Sequence, residues 1–409
     1  VIKKYSLKGP DKSLVTELSY GSIRLSAALD RWINYLGKVP ASKQPPLLRL
    51  LLHLGLYQVL MMDRIPTSAA INTTVELAKS SQLRKLAPVA NGFLRSVDRC
   101  IKSGDEPTLP INKSHRLAQE HSLPIWLAGE LISWRGEELA NDFAKASNEV
   151  PSFDLRINCL RASPEIIQKE FKSAGIESNP IEGFHGGLEV TSGLGELIEW
   201  PGYKDGKWCV QDRSSQWISP LLKPQIGDHV LDACAAPGSK TTHVAELIGN
   251  QGEIWAVDRS ASRLNFVTDN STRMGASCIN VLKADAIDLL AVKPEWRGYF
   301  QRILVDAPCS GLGTLARNAD ARWRITPEKI KELVDLQANI LKGILPLLSP
   351  GGRIVYSTCT VHPDENFRQI QKFVDHYPEI KLKQQRQIWP AFHTPGDGFY
   401  AAVLDHVFP

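Results

Sequence analysis

No stretch of these 409 residues stays apolar for the ~18 positions that a membrane-spanning helix requires. The strongest run, residues 47–62, is interrupted by Arg49, His53, Gly55 and Gln58, so it reads as a buried helix. Cysteine is sparse and unpatterned. The seven, Cys100, Cys159, Cys209, Cys234, Cys278, Cys309 and Cys359, are odd in number, form no C-x-x-C pair and have no histidine cluster nearby at ligand spacing. Neither a disulfide framework nor structural zinc is expected, and a reducing compartment is, the cytoplasm or else an organelle stroma or matrix. The chain opens at Val1 without a charged-then-apolar leader, so nothing in it reads as a signal peptide.

Charge is low but uneven. The formal net charge is +4, yet residues 1–102 hold sixteen Lys and Arg against six Asp and Glu, a local balance of +10 that leaves −6 for the remainder. A basic end on a near-neutral chain suits a polyanionic partner such as RNA. The hydrophobic content, 43%, is ordinary for globular material, and the length allows two or three domains.

Taken in order, residues 12–36 repeat apolar positions at helical spacing, Leu14, Leu18, Ile23, Leu25, Leu29, Trp32, Ile33 and Leu36, with Gly37 as a stop. Helices are predicted over 46–62, from about Thr67 after Pro66, and over about 82–101; His53, inside an apolar helix, reads as a hydrogen-bonded core residue. The Pro- and Gly-bearing linker 103–115 and a helix over about 124–146 follow. Then the period changes. Residues 153–160, FDLRINCL, alternate like a strand, Ser163 and Pro164 form an N-cap and first-turn pair, Gly175 closes that helix, and short strands fit 188–191 and 208–211. This α+β insert is expected to offer one sheet face to RNA, with Arg156 and Asn158 as contacts.

Residues 229–258 read strand, glycine-bearing loop, helix, strand, with the strands ending at Asp232 and Asp258. Asp258 lies 20 residues beyond Gly238, near the spacing at which a carboxylate meets ribose hydroxyls in dinucleotide folds. Glycine lets backbone approach a ligand, a helix start offers free N–H groups, and a carboxylate accepts from a diol. The loop carries neither G-x-G-x-x-G nor G-x-x-x-x-G-K-[ST], which disfavours ligands with a phosphate chain and suits S-adenosylmethionine. Asp285, after a third short strand, fits either an adenine amine or a helix N-cap.

Two further apolar runs, 302–305 and 353–356, each end in a turn that carries a cysteine, Asp306-Ala307-Pro308-Cys309 and Ser357-Thr358-Cys359-Thr360. A helical stretch over about 327–348 separates them, so a right-handed crossover is expected to set both strand ends on one rim, where ligands of parallel sheets bind. Two thiols would then face one pocket. In 317–324, RNADARWR, the residues Arg317, Arg322, Trp323 and Arg324 suit phosphate and stacking contacts to RNA.

Together ACAAPGSKT at 233–241, DAPCSGLGT at 306–314 and STCTVHPDEN at 357–366 resemble the cytosine-5 RNA methyltransferases of the NOL1/NOP2/Sun group, as do QDRSSQ at 211–216 and GDGFY at 396–400. The N-terminal stretch, from DKSLVTELSYG to NGFLR, resembles the NusB-like helical domain fused to bacterial Sun/Fmu proteins, which methylate small-subunit ribosomal RNA. Two departures stand out: Ser239 replaces a second glycine, and the helical domain starts at what would be its second element.

The resemblance implies a multidomain α and α/β chain: a NusB-like RNA-binding domain over 1–115, linker helices and a small α+β subdomain over 116–220, and a Rossmann-like methyltransferase domain over 221–409. It implies S-adenosylmethionine held by Cys234, Ala235, Ala236, Pro237, Gly238, Ser239 and Lys240, with Asp258, Arg263, Asp285 and Asp306 around it. Spacing alone does not say which cysteine attacks the base. The resemblance makes Cys359 the nucleophile, Cys309 the residue that assists breakdown of the adduct, and Asp306, beside Lys240, the partner of the cytosine amide edge. The expected partner is ribosomal RNA, met by a monomer with no membrane and no metal. Competing readings are the same chemistry on transfer RNA or DNA, and a non-catalytic RNA-binding assembly factor; the last predicts loss of pocket groups, yet Asp258, Asp306, Cys309 and Cys359 are all present.

Overall fold

The computed structural model describes residues 5–193 and 195–407. The chain divides into two compact units, Val1–Glu149 with Asn318–Arg324, and Val150–Arg317 with Ile325–Pro409.

The first unit is helical: Gly9–Arg24, Ser26–Leu36, Pro46–Met61, Thr67–Lys79, Ala87–Ser103, Lys113–His121 and Ile125–Ala146. The apolar repeat over 12–36 is not one helix. It breaks at Leu25, and Ser122, remote in sequence, accepts from the free N–H groups of Ala27 (2.8 Å) and Ala28 (3.4 Å) that begin the second helix. The core includes Leu29, Ile33, Leu56, Ala90, Leu94 and Val97, all without exposure, and Leu52 at 2%. His53 is buried there, as its setting predicts, with Nε2 2.8 Å from Asp30 Oδ1. The helices Lys113–His121 and Ile125–Ala146, grouped by sequence with the α+β subdomain, belong to this unit. The second of them kinks at Gly136, whose φ of 78° lies outside the helical region.

The second unit holds two sheets. The smaller has the order β2-β3-β1-β4, all antiparallel, from β1 (Asp154–Ile157), β2 (Glu177–Pro180), β3 (Gly187–Ser192) and β4 (Trp208–Val210). Phe171, Trp200 and Trp208 pack edge to face or tilted beneath it at centroid distances of 5.8–6.3 Å. Ser163 caps the helix Pro164–Ser173 by accepting from the Ile166 N–H, as the sequence predicts. The strand β1 departs from expectation because all four residues are buried: alternation reflects two covered faces, not one solvated face.

The larger sheet has the order β10-β11-β9-β8-β5-β6-β7, from β5 (His229–Asp232), β6 (Glu253–Asp258), β7 (Ile279–Lys283), β8 (Phe300–Asp306), β9 (Leu348–Thr358), β10 (Ile380–Ile388) and β11 (Phe399–His406). The five strands β5 to β9 are parallel, and β11 is antiparallel to both its neighbours. Apolar residues cover both faces. Leu231, Ile303, Val305, Ile354 and Tyr356 enter one core, and Val230, Ile254, Leu304 and Val355 the other. From β5 the chain runs outward to β6 and β7, then returns to β8 on the opposite side, so the β5/β8 boundary is the switch point where open α/β sheets take ligands. The crossover helix Pro327–Ile344 links β8 to β9 in register, with Asp306 opposite Ser357.

Candidate active site

The register sends both cysteine turns out of the sheet side by side. Cys309 follows Asp306 by three residues and Cys359 follows Ser357 by two; their sulfurs stand 3.4 Å apart. Backbone bonds tie the turns, with the Ala307 N–H donating to Ser357 O (2.8 Å) and the Gly313 N–H to Cys359 O (3.0 Å). The hydrogen bond with Cys359, burial and the charge of Glu365 together push the Cys309 thiol well above the ordinary thiol range.

At the switch point Lys240 Nζ donates to Asp306 Oδ2 (2.7 Å) and Ser357 Oγ to Oδ1 (2.9 Å), so both carboxylate oxygens are oriented. The ammonium also lies 4.9 Å above the Phe399 ring. Below them Asp232 is 1% exposed and accepts from Thr241 Oγ (2.7 Å); burial pushes its carboxyl up to about 7.

The loop after β5 runs through a cis Ala236–Pro237 bond to Gly238, which caps the helix Ser239–Leu247. Gly238 has a φ of 100°, and a Cβ there would stand 3.1 Å from Val267 Cα. Only glycine keeps this loop pressed on the helix Ala261–Met274. Ser239 has no positive φ, so the second glycine of the family pattern is dispensable. Arg263 ties loop to strand, donating to Ala236 O (2.6 Å) and standing 3.6 Å from Asp258 Oδ2. Asp258 also accepts from the Ser260 N–H (2.9 Å) at the end of β6. Asp285, after β7, accepts from the Ile287 N–H (3.0 Å); the residue at the N-cap of the next short helix is Asp288, so Asp285 makes a turn and not a cap.

Burial first, then the charges of Asp232, Asp306, Asp258 and Asp285, push the Cys234 thiol well above its ordinary value. The carboxylates of Asp258, Asp285 and Asp306 near one loop, a helix start and a thin glycine bend make a donor set that fits S-adenosylmethionine: acceptors for a ribose diol and an amine, and negative potential for a sulfonium.

Several sequence-predicted RNA contacts are elsewhere. Arg156, 1% exposed, donates to Gln211 Oε1 (3.0 Å), Ser239 O (2.8 Å), Thr242 Oγ (3.1 Å) and Glu246 Oε1 (2.8 Å), which pins the small sheet to the start of the loop helix. Asn158 is 2% exposed and donates to Gly206 O and Met274 O, both at 3.0 Å. Arg322 has no exposure. It donates to Arg24 O, Ser122 O, Asn148 Oδ1 and Ser147 O at 2.8–3.2 Å, and burial pushes its guanidinium down to about 9. None of the three presents a surface to RNA. Arg317 is held by Asp212 (2.7 Å) and Asp397 (2.8 Å), and the half-buried Trp323 donates to Ile23 O (2.7 Å). Arg324 is exposed beside Asp320. The residues that brace the cysteine turns, Ser310, Gln337, Thr360 and Glu365, carry no role in the sequence reading; their signal lies only in falling inside or between the quoted motifs.

Fold and site define a Rossmann-type methyltransferase with paired cysteines at the strand ends. A model of the 16S rRNA methyltransferase RsmB/F family matches residues 219–405, and one of the NusB family matches residues 2–99. The probable ribosomal RNA small subunit methyltransferase B of Synechocystis sp. is 41% identical over 92% of this chain and 83% of its own, and that of Bacillus subtilis 32% identical over 93% and 84%. The crystal structure of PH0851 superposes with a TM-score of 0.84 at 27% identity, covering 98% of this chain and 92% of that one. The chain belongs to the RsmB/F family of methyltransferases, whose methyl donor is S-adenosylmethionine. Among the described residues no helix is long and apolar enough to cross a membrane.

Proposed function

We propose that this chain methylates carbon 5 of a cytosine in small-subunit (16S) ribosomal RNA through a covalent adduct with Cys359. The observation that carries the reading is the 3.4 Å approach of two thiols at neighbouring parallel strand ends, beside the Lys240–Asp306 pair. Carbon 5 of cytosine is too weak a nucleophile to take a methyl group directly. Addition of a thiolate at carbon 6 turns the ring into an enamine and splits one hard step into easier ones.

In this reading the Cys359 sulfur forms the bond to carbon 6. Asp306, aimed by Lys240 and Ser357, accepts from the cytosine amino group or shares the N3 proton. When bound, S-adenosylmethionine supplies the electrophilic methyl group that carbon 5 takes. A base then removes the carbon 5 proton, and the carbon–sulfur electrons return to Cys359. Cys309, held as a thiol next to that sulfur, serves adduct breakdown. The loop 234–240, with Asp258, Arg263 and Asp285, holds the cofactor.

A paired base lies out of reach, so the target is single-stranded or flipped at a cost of a few kcal/mol. Arg324 and the basic surface of the helical unit contribute phosphate contacts that weaken with salt. The names of the curated relatives support ribosomal RNA as the substrate. The test is incubation with total RNA and radiolabelled S-adenosylmethionine, followed by mapping of 5-methylcytosine. Label at a cytosine of the small-subunit RNA is expected; label only in transfer RNA, or none, contradicts the proposal.

A further inference from the structure

We infer that Glu365 is a positioning residue for this reaction: its carboxylate ties the Cys309 turn to the Cys359 turn and fixes the spacing of the two thiols. The role rests on the cysteine chemistry proposed above.

Glu365 sits in the short turn Pro363–Glu365, six residues beyond Cys359, and has no exposure. Its Oε2 accepts from the Ser310 N–H (2.8 Å), next to Cys309, and from Gln337 Nε2 (3.0 Å) on the crossover helix. Its Oε1 accepts from Ser310 Oγ in a short contact. The same Gln337 amide donates to Pro308 O (2.9 Å), and Ser310 Oγ meets Thr360 Oγ at 2.7 Å. Tyr356 anchors the backbone from below, donating to Glu365 O (2.7 Å). One side chain therefore joins three elements that meet around the sulfurs.

The choice of a carboxylate is informative. Its donors are a backbone N–H, a hydroxyl and an amide, and no ion pair to Glu365 occurs among the described residues. Burying a charge without a cation is unfavourable, and scaffolding alone would do better with a neutral group. A glutamine keeps one oxygen for the Ser310 N–H and Gln337, but its N–H₂ faces the Ser310 hydroxyl, which must turn from donor to acceptor and give up its present bond. What the site uses is acceptor capacity on both oxygens. The carboxylate charge also acts on the same turn, adding to the hydrogen bond with Cys359 and the burial that raise the Cys309 thiol.

Glu365→Gln, assayed as the full chain with RNA and S-adenosylmethionine, is expected to lower kcat roughly tenfold to a hundredfold, the scale of a misplacement near 1 Å, with KM for both substrates within about twofold. Because the Cys309 turn moves, more RNA should remain attached to protein on denaturing gels than with the unsubstituted chain. Ser310→Ala and Gln337→Ala each remove one donor and should lower kcat less, in the same direction. The role is overturned if Glu365→Gln keeps its kcat, or if its activity falls only in proportion to folded protein by circular dichroism while Ser310→Ala and Gln337→Ala turn over normally. The unsubstituted chain is the reference: if it makes no 5-methylcytosine the proposed reaction fails, whereas an active reference with indifferent variants removes Glu365 alone.

Discussion

Replacing Arg156 by Ala separates a structural clamp from an RNA contact. In the structure the guanidinium side chain is 2% exposed and its partner Glu246 10%, and the pair at 2.8 Å also holds the Ser239 carbonyl at the start of the cofactor-loop helix. Removing one member of a buried pair costs about 3–5 kcal/mol. Burial already holds the Glu246 carboxyl at about 7 against the pull of Arg156, so without the arginine it takes up a proton at neutral pH. That uptake relieves the orphaned charge and keeps the loss near the lower bound, about 3 kcal/mol, or a fall in Tm of about 6–12 °C for a unit of this size. Urea titration and a thermal melt read the loss. Binding of S-adenosylmethionine should weaken with it, while RNA affinity below the melt should not change. Unaltered stability with weakened RNA binding would refute the clamp and restore the surface role.

Two other perturbations test the cofactor loop and the buried acid beneath it. Gly238→Ala places a Cβ 3.1 Å from Val267 Cα at a φ of 100°, so titration calorimetry should show S-adenosylmethionine bound about tenfold more weakly, a cost of about 1.4 kcal/mol; unchanged affinity contradicts the close approach. Asp232 has its carboxyl raised from 3.8 to about 7 by burial, so the folded state holds a proton that the unfolded chain has lost. Its contribution to stability is full below the unfolded value and is lost as pH rises through about 7, a decline of about 4 kcal/mol between those limits. Asp232→Asn should flatten that decline in urea midpoints measured from pH 4 to 8, and parallel curves for both chains would contradict it.

The parallel core was legible because strands buried on both faces leave short Ile- and Val-rich runs, and the two cysteines could be placed on one rim from chain order and crossover handedness alone. Their separation could not, since it depends on the register of Asp306 against Ser357 and on side chains that cross between turns. Arg156, Asn158 and Arg322 misled for one physical reason. Arginine and asparagine are mostly exposed, and nothing local shows that a remote carboxylate or a set of helix-end carbonyls will satisfy them in a core. The strand β2 went unseen because Glu-Ser-Asn-Pro has no apolar face to alternate, and pairs along β3 at the edge of its sheet. The break at Leu25 escaped notice because its cap, Ser122, comes from another helix end.

The division of labour between the two sulfurs is tested most directly by mixing Cys309→Ala and Cys359→Ala with RNA and S-adenosylmethionine and resolving the products on a denaturing gel. Cys309→Ala should retain RNA as a band that resists denaturation, because attack proceeds and release does not. Cys359→Ala should give neither the band nor methylated RNA. A retained band with Cys359→Ala and none with Cys309→Ala would transfer the attack to Cys309 and contradict the account.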